Sequence, residues 1–300
     1  MKKRAITRRD FLKKAATLPL AGTFIPAILE RKGKRKEQVP TKVRVVLVRE
    51  KDVLDEKGKP RYEVIERIMD EGVCALFGTS NAREAWRQMI KADDVVGIKT
   101  NVWNYLPTPK ELEDYLKKRV MECGVPEEKI AIADRGVLNH PVFQRATALI
   151  NARPARTHHW SGMGTCIKNY IQFVPRPYEW HADACADLGK IWFLPEVKGK
   201  TRLNILVMLT PLFHGIGPHH FSKEYIWPYC GLILSQDPVA ADATGLRILL
   251  ARRKEYFGKE RPLQPAPHHI FYADTRHHLG VSSSERIELI KLGWQDGILI

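Results

Sequence analysis

The sequence predicts an α/β fold: a mostly parallel central sheet flanked by helices, with a long loop-rich middle segment. Three apolar runs have the length of strands, at residues 43–48, 94–99 and 129–134. Segments with helical spacing of apolar residues lie between them, joined by short links, and this alternation is typical of parallel α/β sheets. Roughly 260 residues follow the first 36, enough for one large domain or two small ones. We expect a single α/β domain over residues 40–300.

The first half of the chain gives its elements in a clear order. After the strand at residues 43–48, the charged residues 55–61 predict a loop. Asn81 is placed to cap a helix that extends to Ile90. The strand at residues 94–99 follows and ends in polar residues.

The third strand, residues 129–134, follows a helix that Pro109 begins and Gly124 ends. In parallel α/β sheets, ligands bind at the carboxyl ends of the strands. Polar residues at the ends of the second and third strands are therefore candidates for a functional site. These residues are Lys99, Asn101 and Asp134.

The second half of the chain shows weaker periodicity of its apolar residues. Residues 151–227 are rich in His, Pro, Gly and Trp, so we expect loops and short helices there, interrupted by a strand at residues 203–208. A strand at residues 232–235 precedes a predicted helix over residues 238–253. The tail from Ser283 is predicted to end in a strand.

The N-terminal segment has the features of a twin-arginine export signal. Arg8 and Arg9 precede an almost uncharged run at residues 15–29, shorter than the roughly twenty residues of a membrane-spanning helix. We predict that residues 1–36 are this signal and a basic segment, that the twin-arginine translocase is a partner, and that the protein is periplasmic or otherwise extracytoplasmic. A basic amphipathic helix is the alternative. No clean small-x-small cleavage site precedes the basic run 31–36, so membrane attachment through an uncleaved leader stays open.

The basic charge is concentrated in the same segment. The whole chain carries a net charge of +15, but residues 1–36 hold twelve Lys and Arg against two acidic residues. The remaining 37 basic and 32 acidic side chains give the rest of the chain only +5. Nucleic-acid-binding domains show a strong basic excess or stripe. We therefore expect no nucleic-acid partner.

The cysteines exclude two kinds of local metal motif. The chain has five cysteines and no Cys-x-x-Cys pair, whereas zinc ribbons and ferredoxin-type clusters need closely spaced thiolates. An iron–sulfur cluster is therefore not expected as a cofactor. An extracytoplasmic location permits a disulfide, but the sequence does not identify a pair.

Histidine pairs are the candidate metal ligands. Imidazole suits zinc, copper, iron or nickel, so a transition metal is a candidate cofactor. Adjacent residues on a strand point to opposite faces, so a pair seldom supplies two ligands to one metal except from a loop. Pairs in Gly-rich segments are the stronger candidates, and most histidines bind no metal. The predicted metal ligands are His158, His159 and His219.

Residues 157–169 combine glycines with a histidine pair, a lysine and an asparagine. Glycines let the backbone approach a ligand closely, and the polar side chains offer a proton carrier, a cation and an amide, which suits a small anion. An irregular loop whose polar groups bond the chain itself is the alternative. We expect this segment to meet the sheet edge in one cleft. The predicted catalytic residues are His158, His159, Lys168 and Asp134; the predicted substrate-binding residues are Lys99, Asn101, Asn169 and Asp237.

Two aspartates accompany the predicted helix at residues 238–253. Asp237 directly precedes Pro238 and is placed to cap the helix, a role that requires no contact with a ligand. Asp242 follows among small residues, more than a turn into the helix. Capping and site roles are both open for Asp237.

An ordered set of segments resembles a bacterial and archaeal family called domain of unknown function 362, in its twin-arginine-exported form. The segments are residues 96–101, 123–135, 158–169, 200–205, 235–242 and 287–290. The resemblance extends over roughly residues 40–295 and implies no general activity. Many relatives carry a ferredoxin-like cysteine cluster, which this chain lacks. The family often has a lysine before the histidine pair, where this chain has Arg156 and Thr157.

Two functional hypotheses follow. The leading one is an exported enzyme or cofactor-dependent protein that acts on a small anionic organic molecule. In it, Lys99 and Lys168 bind the anion, His158 or His159 is a general base or metal ligand, and an aspartate orients an imidazole. The alternative is a non-catalytic periplasmic accessory protein that binds a metal or metallocofactor.

Overall fold

One mixed sheet of eight strands organises the computed structural model, which describes residues 42–215 and 221–300. The strands are β1 (Val43–Arg49), β2 (Val96–Lys99), β3 (Ile130–Ala133), β4 (Ala148–His158), β5 (Gly162–Gly164), β6 (Thr201–Leu212), β7 (Gly231–Ser235) and β8 (Ile287–Gly293). The accompanying helices are α1 (Tyr62–Phe77), α2 (Ala82–Met89), α3 (Lys110–Glu122), α4 (Pro141–Gln144), α5 (Cys166–Asn169), α6 (Pro238–Phe257) and α7 (His268–Thr275).

The strand order across the sheet is β3-β2-β4-β6-β7-β1-β8, and β5 pairs with the end of β4. Parallel pairs join β3 to β2, β2 to β4, β4 to β6 and β1 to β8. β7 runs antiparallel to both of its neighbours, β6 and β1. The predicted α/β fold with a mostly parallel central sheet is thus confirmed.

Helices cover both faces of the sheet, which explains the continuous apolar runs of its strands. In β1, Val46 and Val48 pack against α1, α2 and α3 on one face. Val45 and Leu47 of the same strand belong to the opposite core with α5, α6 and α7. All four side chains are fully buried, so alternation along the strand separates two apolar cores instead of core from solvent.

The helix caps follow the sequence signals. Asn81 accepts hydrogen bonds from the backbone N–H groups of Arg83 and Glu84, which begins α2 as predicted. Asp237 accepts from Val239 and Ala240 at the start of α6. Both caps satisfy N–H groups that lack a partner within the helix.

Helix α1 was not anticipated by the sequence analysis. Its apolar residues Ile65, Ile68, Met69 and Val73 recur at helical spacing and are buried against the sheet. Charged residues fill the other face of the helix. The helical spacing is present in the sequence, directly after the charged loop at residues 55–61.

Strand β4 also extends the sheet beyond the prediction. The loop-rich segment was expected from residue 151, but β4 continues to His158. Its polar residues Asn151, Arg153 and Arg156 break the apolar pattern, yet they are buried in a polar interior. Short 3-10 turns then follow, as expected for this segment, at Tyr170–Phe173, Pro177–His181 and Leu188–Phe193.

Some sequence predictions lie outside the described residues. These are the twin-arginine signal and basic segment at residues 1–36 and the candidate ligand His219. Within residues 42–215 and 221–300, no helix is long and apolar enough to cross a membrane. All five cysteines are free thiols.

Candidate functional site

A polar cleft of about 260 Å³ lies where β2, β3 and β4 end. The carboxyl ends of these parallel strands meet there, as expected for ligand sites of α/β sheets. The middle segment folds over the same edge and supplies the rest of the lining. The polar residues that line the cleft are Asn101, Asp134, Arg135, Arg153, Arg156, His158, Lys168, Asn169, Gln172 and His181.

Lys99 and Asp134 form a buried ion pair beneath the cleft. The Lys99 ammonium donates to Asp134 Oδ1 at 2.7 Å, to the carbonyl oxygen of Thr100 at 2.8 Å and to Asn169 Oδ1 at 3.3 Å. Its three hydrogens are therefore used within the protein. Lys99 positions its neighbours, and the predicted role in binding substrate does not fit this geometry.

The same pair fixes the charge of Asp134. Burial alone raises a carboxyl pKa, but the Lys99 ammonium and the N–H of Val102 hold the pKa of Asp134 below its usual value. Burial lowers the pKa of Lys99 to about 8, against the attraction of Asp134. Asp134 is therefore ionised, and both of its oxygens accept hydrogen bonds. Such a carboxylate is suited to orienting its neighbours and poorly suited to accepting a proton.

Asn169 connects this pair to the strands. Its amide group donates to Asn151 Oδ1 at 2.8 Å and to the carbonyl oxygen of Lys99 at 3.2 Å. Its oxygen accepts from Lys99, and Arg153 lies 3.5 Å away. Asn101 is placed similarly, since its side-chain oxygen accepts from Arg156 at 2.8 Å. Both asparagines hold cationic side chains in place.

Two arginines of β4, which the sequence analysis did not identify as site residues, supply much of the positive charge. Residues three apart on a regular strand point to opposite faces. A register shift against β6 between Pro154 and Arg156 is an irregularity of the β-bulge type, and it lets Arg153 and Arg156 line the same cleft. Gly164 allows this packing, because a Cβ there would lie 3.0 Å from the Arg153 guanidinium.

The two guanidinium groups are only partly satisfied by the protein. Among the described residues, neither Arg153 Nε nor Arg156 Nε has a hydrogen-bond partner, although both atoms are buried. Arg156 also lies over the ring of Trp103, at 4.4 Å from its centre. Burial lowers the pKa of both arginines, which measures the cost of holding these charges away from water. An anion in the cleft would offset that cost.

His158 lines the cleft as a neutral ring. Its Nδ1 accepts from the N–H of Trp160 at 3.2 Å, which leaves Nε2 to carry the ring proton. Burial and the nearby charge of Lys168 hold its pKa far below the usual value. His159 stacks on His158 with ring centres 4.8 Å apart and is not part of the cleft lining. The structure therefore presents one ring of the pair to the cleft.

Lys168 has a different environment from Lys99. Its Nζ donates to Nε2 of His181 at 3.1 Å and contacts Sγ of Cys185 at 3.7 Å. His181, which the sequence analysis did not single out, donates from Nδ1 to the carbonyl oxygen of Tyr178. This places Lys168, His181 and the thiol side by side at the cleft.

A strained turn that contains Cys185 directly follows the 3-10 turn that ends at His181. Asp183, Ala184 and Cys185 are consecutive non-glycine residues with φ angles of 46°, 52° and 65°. Left-handed backbone is unfavourable for such residues, at about 1 kcal/mol or more each, and it concentrates at functional sites. No sequence pattern predicted this turn.

Asp242 supports the segment that carries Lys168. It extends from α6 and accepts hydrogen bonds from the N–H groups of Cys166 at 2.9 Å and Ile167 at 2.8 Å, the first residues of α5. The side chain is fully buried, and burial raises its pKa to about 7. Asp242 is therefore a positioning residue for the cleft.

Asp237 does not belong to the cleft. It lines another cavity with Arg44 and Ser235, and its oxygens accept from the backbone of Val239, Ala240 and Val281. Burial raises its pKa to about 6. The predicted substrate-binding role of Asp237 is not supported by this placement, whereas the capping role is observed.

The metal prediction is not resolved by the described part of the chain. There, no group of three or more His, Cys, Asp or Glu side chains is arranged to hold a metal ion. His158 and His159 stack face to face, and His219 lies outside the described residues. Metal binding stays a prediction.

Comparisons with known proteins identify a family. The family model described as "Domain of unknown function (DUF362)" matches residues 96–247, just over half of the 300-residue chain. This span holds the whole polar lining of the cleft together with Asp242. No curated protein and no solved structure matched the chain.

Proposed function

The chain belongs to the family of domain of unknown function DUF362, whose description names no activity, and we propose from its own site that it is an exported protein that binds and acts on a small organic anion. The observation that carries the proposal is the charge of the cleft. Four cationic side chains line it, from Arg135, Arg153, Arg156 and Lys168. Asp134, the one carboxylate among the described residues of the lining, already pairs with Lys99.

The burial of these cationic side chains strengthens their attraction for an anion in the cleft. Arg153, Arg156 and Lys168 are each at least 95 % buried, and electrostatic interactions are less screened there than at a surface. Guanidinium groups offer paired donors that match the geometry of a carboxylate or phosphate. The Nε2–H of His158 adds a neutral donor. A volume of about 260 Å³ suits a small molecule.

Action on the bound anion, beyond binding it, is supported by the proton-transfer groups of the cleft. Lys168 and His181 are hydrogen-bonded to each other inside it. Catalytic sites often gather titratable groups with shifted pKa values in a cleft, and burial lowers the pKa of Lys168 to about 8 and that of His181 to about 4. A passive carrier would not need this pair.

Replacing the two strand arginines is expected to abolish most anion binding. Arg153→Gln and Arg156→Gln should each weaken the binding of small mono- and dicarboxylates by about tenfold or more, because a charge-assisted hydrogen bond contributes about 1.5–3 kcal/mol. Isothermal titration calorimetry measures the effect. The matched control is Arg87→Gln on α2, an exposed arginine away from the cleft. Equal affinity of the wild type and the Arg153→Gln/Arg156→Gln double variant, both folded by circular dichroism, would refute the proposed site.

Export is supported by the arginine pair and the short apolar run that follows it. Arg8→Lys combined with Arg9→Lys is expected to leave the full-length protein in the cytoplasm, because the translocase recognises the pair of arginines. Cell fractionation and immunoblotting measure the distribution. Lys2→Arg is the control, since it conserves charge outside the pair. Normal export of the double-lysine protein would show that the localisation is wrong.

A further inference from the structure

Lys168 is a buried lysine without a carboxylate partner among the described residues. Within residues 42–215 and 221–300, the polar contacts of its Nζ are a neutral imidazole at 3.1 Å and a thiol at 3.7 Å. Lys99, which lies beneath the same cleft, has the Asp134 carboxylate at 2.7 Å. Burial lowers the pKa of both lysines to about 8, but only Lys99 has a carboxylate that its ammonium must neutralise, so Lys168 can lose its proton without leaving a buried carboxylate unpaired.

The surroundings of Lys168 bring the neutral amine within reach near neutral pH. Its side chain is 2 % exposed, and the guanidinium groups of Arg153 and Arg156 add like charge. Burial is the largest cause that lowers its pKa to about 8. Cys185 opposes this with the next-largest effect, and the charges of Arg153 and Arg156 lower the pKa further. Burial also raises the pKa of the Cys185 thiol, so the nearest sulfur is uncharged. A desolvated lysine beside other cations is the usual form of a nucleophilic amine.

His181 is oriented to assist that amine. Its Nδ1–H donates to the carbonyl oxygen of Tyr178, so Nε2 has a free lone pair directed at Lys168 Nζ. The ring of Trp160 covers the imidazole, with centres 4.1 Å apart. The histidine is thus fixed in the tautomer that accepts a proton from the lysine.

We propose that Lys168 forms an imine with the carbonyl carbon of a small 2-oxo acid whose carboxylate is bound by Arg153 and Arg156. This inference rests on the proposed binding of an organic anion. In a 2-oxo acid the carbonyl carbon is bonded directly to the carboxylate, so one compact cleft can hold the charge and present the carbon to Nζ. All three side chains line the same cavity.

The step is a condensation without oxidation or reduction. The Nζ lone pair attacks the carbonyl carbon, and the carbonyl π electrons move to the oxygen. His181 Nε2 accepts a proton from the nitrogen and returns it to that oxygen. Loss of the oxygen as water, with both hydrogens of the amine, leaves a C=N bond between substrate and Lys168. His158 can donate from Nε2 to the developing oxyanion.

Reductive trapping tests the proposal on the full-length protein. Incubation with glyoxylate or pyruvate and sodium cyanoborohydride should yield a single covalent adduct, heavier by the mass of the oxo acid less one oxygen atom. Peptide mapping by mass spectrometry should place it on Lys168. Lys168→Arg should remove the adduct, whereas Lys190→Arg, which changes an exposed lysine of the neighbouring turn, should retain it. His181→Gln should slow trapping by about tenfold or more, in the range of general acid–base assistance.

Glycolate and lactate separate the two levels of the proposal, because these hydroxy acids carry the carboxylate but cannot form an imine. Calorimetric binding of either acid without any adduct from its oxo counterpart would overturn the imine and leave anion binding in place. No binding of any of the four acids and no adduct would overturn both. Equal labelling of Lys168 and surface lysines would also overturn the imine.

Discussion

Replacing Lys99 with methionine is expected to lower the free energy of unfolding by about 3–5 kcal/mol. The substitution preserves most of the side-chain volume but removes the ammonium that pairs with Asp134. The Asp134 carboxylate is only 8 % exposed, so it would remain as a buried charge without its partner. Asn169 and the carbonyl oxygen of Thr100 would lose a donor at the same time. Urea denaturation followed by circular dichroism measures the change.

A double-mutant cycle separates the ion pair from the loss of the lysine itself. With Asp134→Asn already present, Lys99→Met should cost much less, because no buried carboxylate is left uncompensated. The matched control is Lys110→Met in the ion pair of Lys110 with Asp114 on α3. Lys110 is 69 % exposed, and such surface pairs contribute about 0–1 kcal/mol. Additive costs for Lys99→Met and Asp134→Asn would contradict the description of this pair as the support of the cleft.

The parts of the site that could be predicted from sequence are those fixed by local patterns. Strand ends are recognisable from apolar runs and the residues that follow, so Lys99, Asn101 and Asp134 were placed at one edge correctly. The composition of the segment around residues 157–169 indicated a polar loop, and its Lys168 and Asn169 do reach that edge. Local composition was sufficient because each feature is contiguous in the chain.

The site residues that were not predicted depend on structural features that a single sequence does not display. Arg153 and Arg156 lie on a strand whose buried side is polar and whose register shifts against β6. A period-two pattern presumes a regular strand with an apolar core side, so it could not identify them. His181 ends a short 3-10 turn that no sequence pattern marked, and the left-handed turn after it consists of ordinary residues with no glycine as a marker.

Residue type also says nothing about which donors remain for a ligand. Lys99 and Asn169 have the chemistry of anion-binding groups, but their hydrogen bonds are used to hold the site together. Asp237 and Asp242 lie five positions apart in the chain, and the sequence assigned a candidate site role to Asp237 alone. One caps its own helix, and the other supports α5 from a distance of more than seventy residues in sequence. Only the tertiary structure distinguishes these roles.

Asp242 gives the folded protein a distinctive dependence on pH. Burial raises its pKa to about 7 in the folded state, from an ordinary value of 3.8. Between these values the folded protein retains a proton that the unfolded chain releases. The free energy of unfolding therefore falls as the pH rises from about 4 to about 7, by at most about 1.4 kcal/mol per pH unit for this group. Asp134, whose pKa is lowered, acts with the opposite sign and only below its ordinary pKa.

Substituting Asp242 with asparagine is expected to remove this loss of stability. Asparagine is uncharged like the protonated acid and does not titrate. The N–H groups of Cys166 and Ile167 bond different oxygens of Asp242, so the single oxygen of asparagine replaces one of them, and the variant loses some stability equally at every pH. Between pH 5 and pH 8 the wild type should lose on the order of 3 kcal/mol more than Asp242→Asn, measured by urea unfolding at each pH. Asp237→Asn is the matched control: its pKa of about 6 confines its effect to the lower part of the range. Parallel pH profiles for the wild type and Asp242→Asn would show that Asp242 is ionised throughout, stabilised by the α5 N–H groups against the cost of burial.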